Sequence, residues 1–106
     1  MNYYIYLDDI REDDTWFRQY LNTKHWIPYV VHSYEEAINM LNQMQGHQVI
    51  IDLDHDLGES ARTGYDVCMW LIKHDFPHLY FHIHSMNPVG AANMRQLLTH
   101  YGYKEI

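Results

Sequence analysis

The sequence has few of the residues that several common functions require. It contains a single cysteine, Cys68, in 106 residues, so no disulfide can form within the chain. Seven lysine and arginine residues stand against fourteen acidic ones, which gives a formal net charge of −7. Because a nucleic-acid-binding surface needs clustered positive charge to contact phosphates, this composition argues against one.

Features of membrane and secreted proteins are also missing. No hydrophobic run approaches the roughly 20 residues of a membrane-spanning helix. Met1 leads directly into an apolar run, without the basic leader and the small-residue cleavage site of a signal peptide. We therefore expect a cytoplasmic protein without membrane contact. The length suits one domain over residues 1–106, and there is no internal repeat or linker.

Short apolar runs alternate with helical patterns along the chain. Strands are predicted at four places: 3–7, 27–31, 48–53 and 79–84. Helices are predicted between and after them, each beginning after a capping residue: Asp13 or Asp14, Ser33, Thr63 and Asn87. Pro28 favours an edge position for the second strand, and the last four residues allow a stub of fifth strand. This order predicts an α/β fold with a small doubly wound parallel sheet.

Polar side chains follow three of the four predicted strands. The clusters are Asp8-Asp9, then Asp54-His55-Asp56, then His84, Ser85 and Asn87. Because ligands of such folds bind beyond the carboxyl ends of the parallel strands, we expect these side chains to form one site. Several carboxylates at one strand edge suit a hard cation, Mg²⁺ or Mn²⁺.

The motif DLDHDLG, residues 52–58, allows three interpretations. A helix–loop–helix calcium site needs Gly at its sixth position and Glu at its twelfth, which here are Leu57 and Thr63. A phosphatase of the haloacid dehalogenase type carries its Asp-x-Asp motif after the first strand, and too little chain follows Asp54 for that fold. A hard-cation site is the interpretation that fits. The remaining histidines lack metal-ligand spacing, which argues against zinc.

Four motifs carry a resemblance to a known family. YLDDIR, IDLDHDLG, TGYDV and IHSMNPVGAANM together resemble the cyclic-phosphate processing receiver domain, a receiver-like family of bacteria and phages with a proposed role in handling cyclic nucleotide phosphates. The match covers nearly the whole chain. Leu57-Gly58 lies where receivers often carry Leu-Pro or Met-Pro, which favours Asp54 over Asp52 as the equivalent of their phosphoacceptor.

The resemblance implies a receiver- or flavodoxin-like fold, truncated at the C-terminal end because the chain stops at Ile106. In receivers, the first acid pair and the third-strand Asp hold Mg²⁺, and a fourth-strand Ser or Thr contacts the phosphoryl group. Ser85 matches that hydroxyl residue, and Lys104 lies roughly where receivers carry a lysine in the last strand. The implied partner is a small phosphorylated nucleotide.

Three hypotheses about function follow. In the first, the protein is a metal-dependent phosphoesterase that hydrolyses a cyclic nucleotide or related phosphoester. In the second, the same pocket sequesters a signalling nucleotide without cleaving it, and Tyr and Trp side chains stack on its bases. In the third, Asp54 is phosphorylated and the domain switches a partner.

The enzyme hypothesis assigns a role to each candidate residue. The metal ligands are Asp8, Asp9, Asp54 and Asp56. The catalytic residues are Asp54, His55, His84 and Ser85, with one histidine as general acid or base. The phosphate-binding residues are Arg11, Ser85, Asn87, Gly90 and Lys104.

Overall fold

The computed structural model describes residues 1–10 and 25–106, in which five strands form one sheet. The strands are β1 (Asn2–Leu7), β2 (Ile27–Val31), β3 (Gln48–Leu53), β4 (Leu79–Ile83) and β5 (Lys104–Glu105). The helices of this part of the chain are α1 (Tyr34–Gln43), α2 (Gly64–Lys73) and α3 (Pro88–His100). Arg11 and the helix predicted between the first two strands lie outside the described residues.

All neighbouring strands run parallel, in the order β2-β1-β3-β4-β5. The order changes direction between β1 and β3, so the switch point of the sheet lies between them. These two strands are in register up to the pair Leu7 and Leu53. Asp8 and Asp54 therefore leave the sheet side by side. β2, which contains Pro28, is an edge strand as predicted, because proline cannot donate a hydrogen bond to a neighbouring strand.

A hydrophobic core joins one face of the sheet to all three of these helices. Its fully buried members include Ile5 and Ile51 from the strands and Leu41, Leu71 and Leu98 from the helices. Burying one such side chain stabilises the fold by about 1.5–3 kcal/mol. On the other face of the sheet, a second buried cluster contains Tyr4, Tyr6 and Ile50. The core thus holds the strand ends in fixed positions.

Each of the three described helices begins directly after the residue that the sequence predicted as its cap. The Ser33 hydroxyl accepts a hydrogen bond from the Glu36 amide at 3.1 Å. The Thr63 amide donates to the Asp66 carboxylate at 2.7 Å, and the Asn87 side chain accepts from the Gly90 amide at 2.9 Å. Because these caps satisfy amides that helices leave unpaired, α2 and α3 begin at defined positions beside the carboxyl ends of β3 and β4.

Gly64 lets the first turn of α2 approach the backbone of the loop after β3. Its amide donates a hydrogen bond to the carbonyl of His55 at 2.8 Å. A Cβ atom at this position would overlap the carbonyl oxygen of Asp54. The absence of a side chain here therefore sets the position of the Asp54 backbone relative to the helix.

We predict that Gly64→Ala lowers the free energy of unfolding by about 3 kcal/mol, because backbone must move to relieve the overlap. Gly102→Ala is the control, since its left-handed φ of +91° is strained but its surroundings are open. That strain costs about 1 kcal/mol. Chemical denaturation of both variants measures the difference, and equal losses of stability would contradict the close approach.

Candidate functional site

Three side chains from three strand ends converge at the carboxyl edge of the sheet. Asp8 follows β1, Asp54 follows β3 and His84 follows β4, and one ligand atom from each lies within 4.8 Å of the other two. A divalent cation with ligand distances of about 2.0–2.6 Å would hold its ligand atoms this close together. The three residues line a cavity of about 480 Å³.

Backbone hydrogen bonds continue the sheet to each of these residues. The Asp8 amide donates to the Val31 carbonyl at 3.1 Å, and the Asp54 amide donates to the Leu7 carbonyl at 3.1 Å. The His84 amide donates to the Leu53 carbonyl at 3.0 Å. All three candidate ligands are thus held by the rigid sheet rather than by free loops.

His84 bridges two carboxylates. Its Nδ1 lies 2.6 Å from Oδ1 of Asp52, and its Nε2 lies 3.1 Å from Oδ2 of Asp8. Its ring stacks on that of Tyr6, with 4.5 Å between centroids and 8° between planes. Burial alone would lower the pKa of His84, but the hydrogen bonds with Asp52 and Asp8 and the charges of Asp52 and Asp54 outweigh it, so this pKa is raised.

Asp52 contacts the site, and sequence reasoning gave it no role there. Its side chain is fully buried, and its Oδ2 accepts a hydrogen bond from the hydroxyl of Tyr4. A buried carboxylate is costly unless it is paired, and here Tyr4 and His84 both pair with it. The signal in the sequence was a single carboxylate inside the apolar strand VIIDL. The Tyr4–Asp52–His84 chain fixes the orientation of the imidazole ring.

The pKa of Asp54 is raised, first because burial disfavours its charged form and then because Asp8 and Asp9 repel it. The charge of His84 acts in the opposite direction. A bound divalent cation would favour the ionised forms of all these carboxylates. The two carboxylates of this group, Asp8 and Asp54, fit a hard cation such as Mg²⁺ or Mn²⁺, and the His84 imidazole lies beside them.

Asp9 and Asp56 lie at the rim of the same cavity. Asp56 is exposed; its Oδ1 lies 3.0 Å from Nδ1 of His55 and also accepts a hydrogen bond from the Asn87 amide group at 3.4 Å. The hydrogen bond with His55 lowers the pKa of Asp56. At Gly58, whose φ is +68°, a Cβ atom would lie 3.0 Å from Oδ2 of Asp9. The glycine leaves room for that carboxylate.

His55 does not line the acidic cavity, although it contacts Asp56, which does. Its ring packs on Gly90 so closely that a Cβ atom there would overlap it, and it lines a second cavity between α2 and α3. Asp54 and Asp56 thus line the acidic cavity, and His55 between them lines the second one. Of the two histidines predicted as acid or base, the structure brings only His84 into the group with Asp8 and Asp54.

The predicted phosphate-binding residues do not all reach the cavity. The Ser85 hydroxyl accepts a hydrogen bond from the Asn87 amide at 3.1 Å, and the Gly90 amide is already paired with Asn87. A phosphate at Gly90 would have to displace that cap. Among the residues that the structure describes, Ser85, Asn87 and Gly90 do not line the acidic cavity. Their roles stay predictions.

Lys104 is not brought to the site. It pairs with Tyr80 in the sheet and lines a different cavity, with Asp75 and His78. Tyr80 precedes His84 by four residues, which is about 13 Å along a strand. A lysine that lay beside His84 in the sheet would have to come later in the sequence than Lys104. The expectation that Lys104 binds phosphate therefore gains no support from its placement.

We predict that Tyr4→Phe lowers the free energy of unfolding by about 2 kcal/mol, because a buried carboxylate loses a hydrogen bond. Tyr80→Phe is the matched control: its hydroxyl makes no hydrogen bond to another described residue, so its loss should cost less than about 0.5 kcal/mol. Urea denaturation of the two variants gives the comparison. A Tyr4→Phe variant as stable as the control would rule out a structural role for this hydrogen bond.

The geometry defines a class of protein, the receiver-like α/β domains. The structure matches that of the signal receiver domain of a protein described as a Luxo repressor from Vibrio parahaemolyticus, with a TM-score of 0.63 and 18% identity over 97% of this chain and 74% of that one. This likeness shows the fold. The family model of the Cyclic-phosphate processing Receiver domain matches residues 3–100, and the chain belongs to this family.

The family assignment confirms the resemblance drawn from the four sequence motifs. No curated protein matches the chain. None of the helices among the described residues is long and apolar enough to cross a membrane.

Proposed function

We propose that the protein is a divalent-metal-dependent phosphoesterase that hydrolyses a cyclic nucleotide or a related cyclic phosphate. The observation that supports this most directly is the convergence of Asp8, Asp54 and His84 within 4.8 Å, at the switch point of a sheet whose family is described as cyclic-phosphate processing. Two carboxylates and an oriented imidazole can together hold a cation and move a proton.

Asp8 and Asp54 would hold a Mg²⁺ or Mn²⁺ ion, with Asp9 and Asp56 at the rim of the cavity. When bound, such an ion supplies positive charge to phosphate oxygens and acts as a Lewis acid. An acidic protein with a net charge of −7 needs this charge to accept an anionic substrate. The carboxylates also keep a substrate phosphate out of the cavity unless a cation is present.

His84 would exchange the proton during hydrolysis. When Nδ1–H of His84 donates a hydrogen bond to Asp52, the other ring nitrogen, Nε2, faces Asp8 and the cavity. Water attacks phosphorus, one phosphorus–oxygen bond of the cyclic phosphate breaks, and the leaving sugar oxygen takes up a proton. A histidine positioned to supply that proton contributes typically about 10²–10⁴-fold to the rate of such a step.

We predict that Mg²⁺ or Mn²⁺ raises the thermal stability of the wild-type protein. At a concentration 100 times the Kd, a ligand specific for the folded state adds about 2.7 kcal/mol. In Asp54→Asn the metal effect should disappear, while the metal-free stability stays equal or rises because a repelled carboxylate is removed. Asp75→Asn, the same change at an exposed position outside the cavity, should keep the metal effect. Calorimetry with and without chelator measures both quantities, and equal metal responses in the two variants would contradict the site.

We further predict that the wild-type protein with Mn²⁺ or Mg²⁺ hydrolyses at least one member of a panel of cyclic mono-, di- and trinucleotides. Asp54→Asn should lower kcat/KM by about 100-fold or more, because it removes a charged metal ligand. Asp75→Asn is again the control and should retain activity. Chromatography of the reaction products provides the measurement. The absence of turnover across the panel, or full activity in Asp54→Asn, would overturn the proposal.

A phosphoacceptor receiver is the second candidate, favoured by the match to a signal receiver domain. Incubation with acetyl phosphate and Mg²⁺ followed by mass spectrometry separates the two. A stable phosphoryl adduct at Asp54 without turnover of any cyclic nucleotide would establish the receiver function. Recovery of tightly bound, intact nucleotide would instead indicate sequestration.

A further inference from the structure

A second cavity, of about 570 Å³, lies beside the loop that carries Asp54. Its walls include His55 from the loop, Tyr65 from α2, and Asn93 and Gln96 from α3. We propose that this cavity binds the base of the nucleotide whose phosphate lies at Asp54. The inference rests on the proposed function and extends it to the recognition of the substrate.

The position of the cavity follows from the alternation of side chains in the loop. Asp54 and Asp56 line the acidic cavity, and His55 between them lines the second one. The His55 ring is held in place by Gly90 behind it and by its contact with Asp56 at 3.0 Å. Consecutive residues of one loop thus line both cavities. A ligand that extends from the carboxylates past His55 reaches the groove between α2 and α3.

The two cavities differ in charge as the two ends of a nucleotide do. The acidic cavity contains four aspartates, which suit a cation and, through it, a phosphate. Among the described residues that line the second cavity there is no Asp, Glu, Lys or Arg. This lining favours an uncharged group with polar edges and flat apolar faces. A nucleobase has both properties.

The polar residues of α3 have hydrogen-bonding capacity to spare. Asn93, Gln96 and His100 are spaced at i, i+3 and i+7, so they lie along one face of the helix. The side chains of Asn93 and Gln96 are exposed and make no hydrogen bond to another described residue. Each amide offers both donors and acceptors, as the edge of a base requires.

Tyr65 and Leu97 supply apolar surface for the faces of the ring. Both are partly buried and both contact the hydrophobic core, so their positions are fixed by the fold. Aromatic side chains bind bases by stacking and tolerate every base, whereas amides select among bases through their edges. The cavity therefore predicts a preference for particular bases, with Gln96 and Asn93 determining it and Tyr65 contributing affinity for all of them.

The test compares substrates with and without a base. We would measure kcat/KM of the full chain for cyclic mononucleotides of adenine, guanine, cytosine and uracil, and for a cyclic ribose phosphate that lacks a base. Tyr65→Ala should lower kcat/KM at least tenfold for the nucleotides and leave the base-free substrate unchanged. Gln96→Ala should alter the ratios between bases, and Thr99→Ala, an exposed residue of α3 outside the cavity, should change neither.

The outcomes separate this inference from the proposed function. Asp54→Asn should lose activity toward both kinds of substrate. The base site would be overturned if Gln96→Ala kept the wild-type ratios of kcat/KM between bases. It would also be overturned if Tyr65→Ala lost as much kcat/KM on the base-free substrate as on the nucleotides. Neither result would contradict the phosphoesterase activity itself.

A wild-type protein that hydrolyses nothing would still be tested by NMR titration with nucleosides that carry no phosphate. Shifts of the Asn93 and Gln96 side-chain amides that vanish in Tyr65→Ala would support the base site without the enzyme. The absence of any shift with all four nucleosides would overturn it.

Discussion

The repulsion among carboxylates at one edge of the sheet is the constraint on which the rest of the site depends. Parallel register places Asp8 beside Asp54, and burial makes their charges costly. His84 offsets part of that cost by bridging Asp8 and Asp52, which raises its pKa. This imidazole lies between carboxylates that come from two different strands. A divalent cation would offset the charge that remains.

Much of the fold could be predicted because its signals are local. Apolar runs marked the strands, and Ser33, Thr63 and Asn87 marked the helix starts, since a cap satisfies amides within the same turn. Pro28 marked an edge strand because it lacks a donor. The convergence of Asp8 and Asp54 also followed from the sequence, since the carboxyl ends of parallel strands meet at one edge. These inferences need only the order of the elements.

The direction of individual side chains could not be predicted in the same way. Asp52 is paired through Tyr4 and His84, which are distant in sequence, so nothing local marks the pair. The Ser85 hydroxyl accepts a hydrogen bond in the turn before α3, which the sequence did not indicate, and its role at a phosphate stays a prediction. The position of Lys104 relative to the site could not be predicted either, because the level of a residue in a parallel sheet depends on the register of the pairing, and Lys104 pairs with Tyr80. Such details are fixed by tertiary contacts.

The hydrogen bonds that join Tyr4, Asp52 and His84 help to decide between two functions of this pocket: accepting a phosphoryl group and hydrolysing a phosphoester. A phosphoacceptor needs an aspartate and a cation, which Asp54 and Asp8 can provide without help from a histidine. An imidazole fixed by a buried carboxylate is useful where a proton must move at one defined position. The burial of Asp52 is costly, and a fold that needed only the cation site could place an apolar residue there instead. The presence of this pair beside Asp54 therefore favours the hydrolytic proposal over a simple phosphoacceptor.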